Sequence, residues 1–274
     1  MLQPSTNHDG ISILLIGDTN YREFRRARAS LDALGRVTGV GDAEVAAELL
    51  ADGQIIAEVI VIAQAYPSQF SHTAIDRIRR LAPLARMLGL MGSWCEGEMR
   101  SGKPWPGVLR VYWHQWPPRC DREISRMLRG QCSAWGLPIT ATDEERLLAA
   151  SDERASDATG MIAIYTRRFL MEDWLAAACG GRGQSTVWLR PPRPARVDGA
   201  MAAIFDGSDL GGGELAELRH LVVMLAPAPV VVLLDFPRVE GHRRAIAAGA
   251  ATVLSKPLLV DDLFWELDRL LSVV

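Results

Sequence analysis

The apolar positions of this chain group into short continuous runs separated by segments of helical periodicity, and the alternation occurs twice. An unbroken run of five or six apolar residues is the pattern of a strand covered on both faces, which points to a parallel sheet. In the first stretch the predicted strands are Ile11–Ile16, Arg36–Val40, Glu58–Ala63, Arg86–Met91 and Val108–Trp113. Helices are predicted over Tyr21–Leu34, from an Asp42 cap through Asp52, over Ser71–Leu81, and over Arg119–Arg129. Gly35, Gly53 and Pro83 stand where these segments should stop, as helix-ending residues do.

The second stretch repeats the order. Strands are predicted over Met161–Tyr165, Thr186–Leu189, Met201–Phe205, Pro229–Leu234 and Ala251–Leu254. Helices are predicted over Leu170–Cys179, Glu214–Leu225, Val239–Ala248 and Val260–Leu271. Pro191, Pro192 and Pro194 prevent a regular helix after the second strand, so that helix is expected to be short or missing. Strands alternating with helices require a parallel sheet with helices on both faces, joined by right-handed crossovers. The expected limits are residues 1–130 for one domain, 131–159 for a charged, Ala-rich linker, and 160–274 for the other.

A length of 274 residues agrees with two domains. The 49% hydrophobic and 23% charged composition is that of a globular protein. A formal net charge of −3 argues against a wholly basic nucleic-acid binder. The longest apolar stretches, Leu221–Leu225 and Pro229–Leu234, fall far short of the roughly 20 residues a membrane helix needs. The N-terminus lacks the pattern of a signal peptide. Cys95, Cys120, Cys132 and Cys179 are scattered without a CxxC pair, so free thiols in the cytoplasm are expected.

The end of the chain reads HRRAIAAGAATVLSKPLLVDDLFWELDRLL. With Gly249, Ala250, Lys256 and Pro257, it resembles the tail of response-regulator receiver domains. The preceding strand AAIFD ends in Asp206, at the place of the receiver phosphoacceptor. The resemblance covers about residues 160–274; the first half shares only the order of elements. It implies an α/β fold class: two tandem flavodoxin-like, receiver-like, doubly wound five-stranded parallel sheets.

Receivers hold a magnesium ion with an acidic pair after the first strand and with the acceptor carboxylate. A hydroxyl after the fourth strand and a lysine after the fifth complete the set, which neutralises the transferring phosphoryl group. In the second half Thr166, Arg167 and Arg168 stand in place of the acidic pair, and Leu234 stands for the hydroxyl. Asp206 and Lys256 remain and are expected to form an ion pair, with Arg167 substituting for the metal charge. In the first half Asp18 matches one acidic position, Gln64 replaces the acceptor region and Ser93 stands for the hydroxyl. His114-Gln115-Trp116-Pro117 takes the place of Lys-Pro.

The stretch Gly92–Pro118 holds Trp94, Trp105, Trp113, His114 and Trp116. Tryptophan is enriched at binding hot spots, so these five residues are a candidate partner surface; the alternative is an aromatic cluster that packs the loop down. Cys95, Glu96, His114 and Cys120 have zinc-ligand chemistry without finger spacing. A Cys95–His114 nucleophile pair lacks any supporting motif. Gly211–Gly213 lacks a phosphate-loop pattern and reads as a helix entry. Arg22, Arg25, Arg26, Arg28, Arg77, Arg79 and Arg80 read as solvated helix faces. His8, His72, His220 and His242 read as surface or capping residues, and Trp265 as either core or interface.

These readings lead to a non-catalytic signalling or scaffold protein with no metal or cofactor. It is expected to act through a protein partner or as a homodimer, without membrane or nucleic acid. The alternatives are a response regulator phosphorylated on Asp206, and a small-molecule or nucleotide sensor at the sheet switch point.

Overall fold

The computed structural model describes residues 10–98, 102–131, 133–137, 141–142, 144–145, 148, 160–192 and 196–272. It divides into two compact units, 1–150 and 151–274. Among the described residues no helix is long and apolar enough to cross a membrane.

The first unit contains strands β1 (Ile11–Ile16), β2 (Gly35–Val40), β3 (Val59–Gln64), β4 (Arg86–Met91) and β5 (Leu109–Tyr112). Its helices are α1 (Arg25–Leu34), α2 (Ala43–Ala51), α3 (His72–Leu81) and α4 (Trp116–Leu128). All strands pair in parallel, in the order β2-β1-β3-β4-β5. This is the flavodoxin-like order, with its switch point between β1 and β3.

Alternate side chains of a strand point to opposite faces, so an unbroken apolar run fills two core layers. Leu14, Ile16, Ile60 and Ile62 pack in one layer with Ala43, Ala46 and Ala47 of α2 and with Ile75 and Ile78 of α3. Burying each large aliphatic side chain stabilises the fold by about 1.5–3 kcal/mol. Gly35 has a steric reason: a Cβ there would lie 2.1 Å from the Ile11 carbonyl oxygen. Asp42 caps α2, its carboxylate accepting hydrogen bonds from Glu44 N (2.7 Å) and Val45 N (3.3 Å). Asp42→Ala is expected to cost about 1 kcal/mol, read as a lower urea midpoint with an unchanged slope.

Two expectations shift here. α4 begins at Trp116, three residues before the predicted start, with Pro117 and Pro118 in its first turn. Proline is tolerated there because first-turn N–H groups have no helical partner anyway. The first unit also extends beyond residue 130, so the linker predicted over 131–159 starts too early. Ser133 Oγ and Ala134 N both donate to Glu123 Oε2, at 2.8 and 2.9 Å. Trp135 is buried, 6.2 Å from the Trp116 ring. Glu123 is a buried carboxyl group, and the segment after α4 supplies donors that it needs. Most of the remaining predicted linker lies outside the described residues.

The second unit contains β6 (Met161–Tyr165), β7 (Ser185–Leu189), β8 (Ala200–Asp206), β9 (Val230–Asp235) and β10 (Thr252–Lys256). Its helices are α5 (Phe169–Gly180), α6 (Glu214–Leu225), α7 (Val239–Ala247) and α8 (Val260–Leu271). The parallel order is β7-β6-β8-β9-β10, the same topology again. Among the described residues no helix joins β7 to β8. β8 runs one residue beyond Phe205 and β10 two beyond Leu254, because Lys256 stays in register with Asp235. One core layer joins Tyr165, Phe205 and Val232 to α6, and the other joins Ile164, Ile204 and Leu233 to α5 and α8.

Candidate functional site

In the second unit the carboxyl ends of β6, β8, β9 and β10 bring charged groups together around Asp206, the last residue of β8. Its side chain is only 2% exposed. Lys256 Nζ donates to Asp206 Oδ1 at 2.7 Å, and Thr166 Oγ1 donates to Oδ2 at 2.6 Å. Arg168 grips both oxygens, with Nε donating to Oδ2 at 3.0 Å and Nη2 donating to Oδ1. Lys256 Nζ also donates to the Gly207 carbonyl at 2.7 Å and stands 3.1 Å from Asp235 Oδ1. Two carboxylates, one guanidinium and one ammonium leave the cluster electrically balanced.

Burial by itself pushes the Asp206 carboxyl up, because it disfavours charge. The hydrogen bonds from Arg168, Lys256 and Thr166, with the Lys256 charge, outweigh it and hold the carboxyl below its ordinary value. Asp206 is therefore ionised at neutral pH with two donors on each oxygen. A carboxylate that accepts a phosphoryl group needs a free lone pair and neutralisation of the charge on the phosphoryl oxygens. Here protein cations occupy the neutralising role.

The predicted Asp206–Lys256 ion pair is present. The cation expected to stand for the metal is not Arg167, whose guanidinium pairs with Glu217 instead. It is Arg168, and the cause is local. Arg168 N donates to Thr166 Oγ1 at 3.0 Å, closing a tight turn after β6, while the side chain crosses to the end of β8. Leu234, expected at the hydroxyl position, lies in the core at 1% exposure. The β9 residue that reaches the site is its neighbour Asp235, which the sequence reading missed. The register Lys256↔Asp235 brings the two together, a signal visible only once the strands are paired.

The corresponding end of the first sheet is built differently. Asp18 is exposed and its Oδ1 accepts from Asn20 N and Nδ2, both at 2.8 Å. Gln64 is buried and its amide donates to both Glu98 oxygens at 3.3 Å. Glu98 is in turn paired with Arg110. Ser93 Oγ donates to Glu23 Oε2 at 2.8 Å and accepts from Trp113 Nε1 at 2.9 Å. The three positions singled out in the sequence thus serve three separate hydrogen-bonded groups. At the switch point the Phe70 ring closes over Gly17: a Cβ there would lie 3.2 Å from it.

The Trp-rich segment is corrected more sharply. Trp105, Trp113, His114 and Trp116 are all 6% exposed or less, and Trp94 alone of the five is exposed, at 80%. Trp105 packs on Phe70, His114 stacks on Tyr112, and Trp116 meets Trp135. Most of the expected partner surface is therefore a satellite core, the packing alternative.

Among the described residues no three His, Cys, Asp or Glu side chains converge to hold a metal, so Cys95, Glu96, His114 and Cys120 form no zinc set. Burial raises the Cys95 and Cys120 thiols, favouring their neutral form. His114 Nε2 stands 3.4 Å from Glu96 Oε1, and among the described residues no hydrogen bond joins His114 to Cys95, so no nucleophile pair is formed there. Gly212 and Gly213 take positive φ at the entry to α6, a backbone conformation that glycine adopts without steric cost. Arg28, Arg77 and Arg79 pair on the surface with Asp32, Glu44 and Asp76. His72 bonds the Lys103 carbonyl at 2.8 Å and His220 is exposed, but His242 is buried, against expectation. His8 lies outside the described residues, and Trp265 is half-buried.

The strand order and helix placement settle the architecture. Each unit has the flavodoxin-like fold, the one that receiver domains share. No family model and no curated protein matches the chain. Among solved structures, a CheY-like response regulator from Mesorhizobium loti is 16% identical, covering 41% of this chain and 98% of its own, with a TM-score of 0.34. The signal receiver domain of a modulated diguanylate cyclase from Desulfovibrio desulfuricans is 15% identical, covering 42% and 96%, with a TM-score of 0.34. The C-terminal part of E. coli RcsC, containing a linker region and phosphoreceiver domain, is 14% identical, covering 99% of both chains, with a TM-score of 0.33. At such scores these likenesses add nothing to the strand order, which carries the fold assignment by itself.

Proposed function

We propose that this chain is a non-catalytic signalling or scaffold protein, built from two pseudo-receivers and acting through protein–protein contacts. One observation carries the reading: Asp206, at the phosphoacceptor position, is buried with both oxygens taken by Arg168, Lys256 and Thr166. An incoming phosphoryl group would have to displace Arg168 and bring its own countercharge into a balanced pocket. The first unit supports the same reading, since Gln64 at the end of β3 has no carboxylate to phosphorylate. The second unit also exposes apolar side chains suited to protein contact, with Phe169 and Leu170 at 62% and 80% exposed.

The test is incubation of the intact protein with acetyl phosphate and magnesium, followed by intact-mass measurement. The expected result is an unchanged mass. Gain of a single phosphoryl group that is absent in Asp206→Asn would establish an active receiver and overturn the proposal.

A further inference from the structure

At the amino end of the first sheet, remote from the strand ends discussed above, lies a cleft of about 610 Å³. It is bounded by α3, the starts of β4 and β5, and the Ala134–Gly136 turn. That volume is in the range of small-molecule sites. Trp135, Leu84 and Val108 give it apolar walls, while Arg79 and Arg86 bring positive charge.

Arg86, Arg110 and Arg119 each have a buried Nε without an acceptor among the described residues, but of these three only Arg86 has no ion pair or hydrogen bond through its other guanidinium nitrogens there. Arg110 pairs with Glu98, and Arg122 and Arg126 with Glu123. The Nε of Arg86 is buried with no acceptor among the described residues. A buried donor left unmade costs about 1–3 kcal/mol, and more when charged. The guanidinium lies beside Gly136, where a Cβ would come 3.5 Å from Nη2. Arg79 is held at the same cleft by Asp76 (2.8 Å) and the Pro106 carbonyl (3.1 Å). Asp76 is thus already engaged with Arg79.

We infer that this cleft binds a small organic anion, a carboxylate or phosphate monoester bearing an apolar or aromatic group. The planar fork of Arg86 takes the oxyanion with Arg79 as second cation, a geometry suited to paired oxygens. Trp135 and Leu84 hold the apolar part.

The test is tryptophan-fluorescence titration of the full chain with benzoate and with phenyl phosphate, beside phenol and inorganic phosphate as the separate halves. Saturable binding is expected for at least one aromatic anion, and which of the two binds tells carboxylate from phosphate. Each half alone should bind at least about tenfold more weakly. Arg86→Gln should lower affinity by about tenfold or more, with Arg86→Lys intermediate because charge remains but the fork is lost. Leu84→Glu provides a variant that does not threaten folding, since Leu84 is 93% exposed. Its carboxylate should compete for Arg86 and weaken binding similarly. Absence of saturable binding by both anions would overturn the inference. So would unchanged affinity in Leu84→Glu or in folded Arg86→Gln, or inorganic phosphate binding as tightly as phenyl phosphate.

Discussion

Replacing Asp206 with alanine should lower the unfolding free energy of the second unit by about 3–5 kcal/mol, the usual cost of removing one partner from a buried ion pair. The substitution strands Lys256, whose side chain is 7% exposed, with only the more exposed Asp235 and the Gly207 carbonyl. It also removes the anchor that holds Arg168 across the end of the sheet. Arg167→Ala provides the contrast. Its pair with Glu217 involves a guanidinium side chain 56% exposed, so the loss should stay below about 1 kcal/mol. Urea unfolding of the three proteins checks both values, and equal losses in the two variants would refute this account of the clamp.

The same carboxylate predicts an acid dependence. In the folded state Asp206 lies below its ordinary value, whereas the unfolded chain restores about 3.9. A depressed folded value means the contribution is fully present above the unfolded value and is lost as pH falls through the folded one. Between pH 5 and pH 2 the wild type should therefore lose more stability than Asp206→Asn. Parallel acid profiles for the two proteins would show that Asp206 contributes no such term.

The second large effect is expected at Trp116. This residue is fully buried, opens α4, and packs against Trp135 beyond the end of that helix. Trp116→Ala should cost the first unit about 3–5 kcal/mol through lost burial and the cavity left behind. Trp94→Ala, at 80% exposure, should change stability by no more than about 0.5 kcal/mol. Urea midpoints followed by circular dichroism separate the two outcomes. A loss of several kcal/mol at Trp94 would contradict the separation of exposed Trp94 from the buried rings of that segment.

Some features were legible because they depend only on local chemistry. Unbroken apolar runs such as Ile13–Ile16 and Val230–Leu234 require cover on both faces, whatever lies elsewhere in the chain. The Asp42 cap marks a helix start through a local side-chain hydrogen bond. Asp206 and Lys256 could be placed near one another because both end strands of a parallel sheet, where strand ends gather on one side. The early start of α4 was missed because Pro117 and Pro118 read as breakers, although the first helical turn tolerates them.

The sequence by itself determined two α/β units with parallel sheets, since hydrophobic periodicity dictates which faces are buried. It also determined that Asp206 lacks an acidic pair beside it. Tertiary structure decided which cation binds Asp206, because the Thr166 turn sends Arg168 across the sheet end while Arg167 goes to Glu217. It decided that Asp235, not Leu234, meets Lys256, through strand register. It buried most of the Trp-rich segment, since the exposure of an aromatic ring depends on what packs over it. And it left Arg86 beside an open cleft, because the number of arginines in a chain says nothing about which of them find a carboxylate.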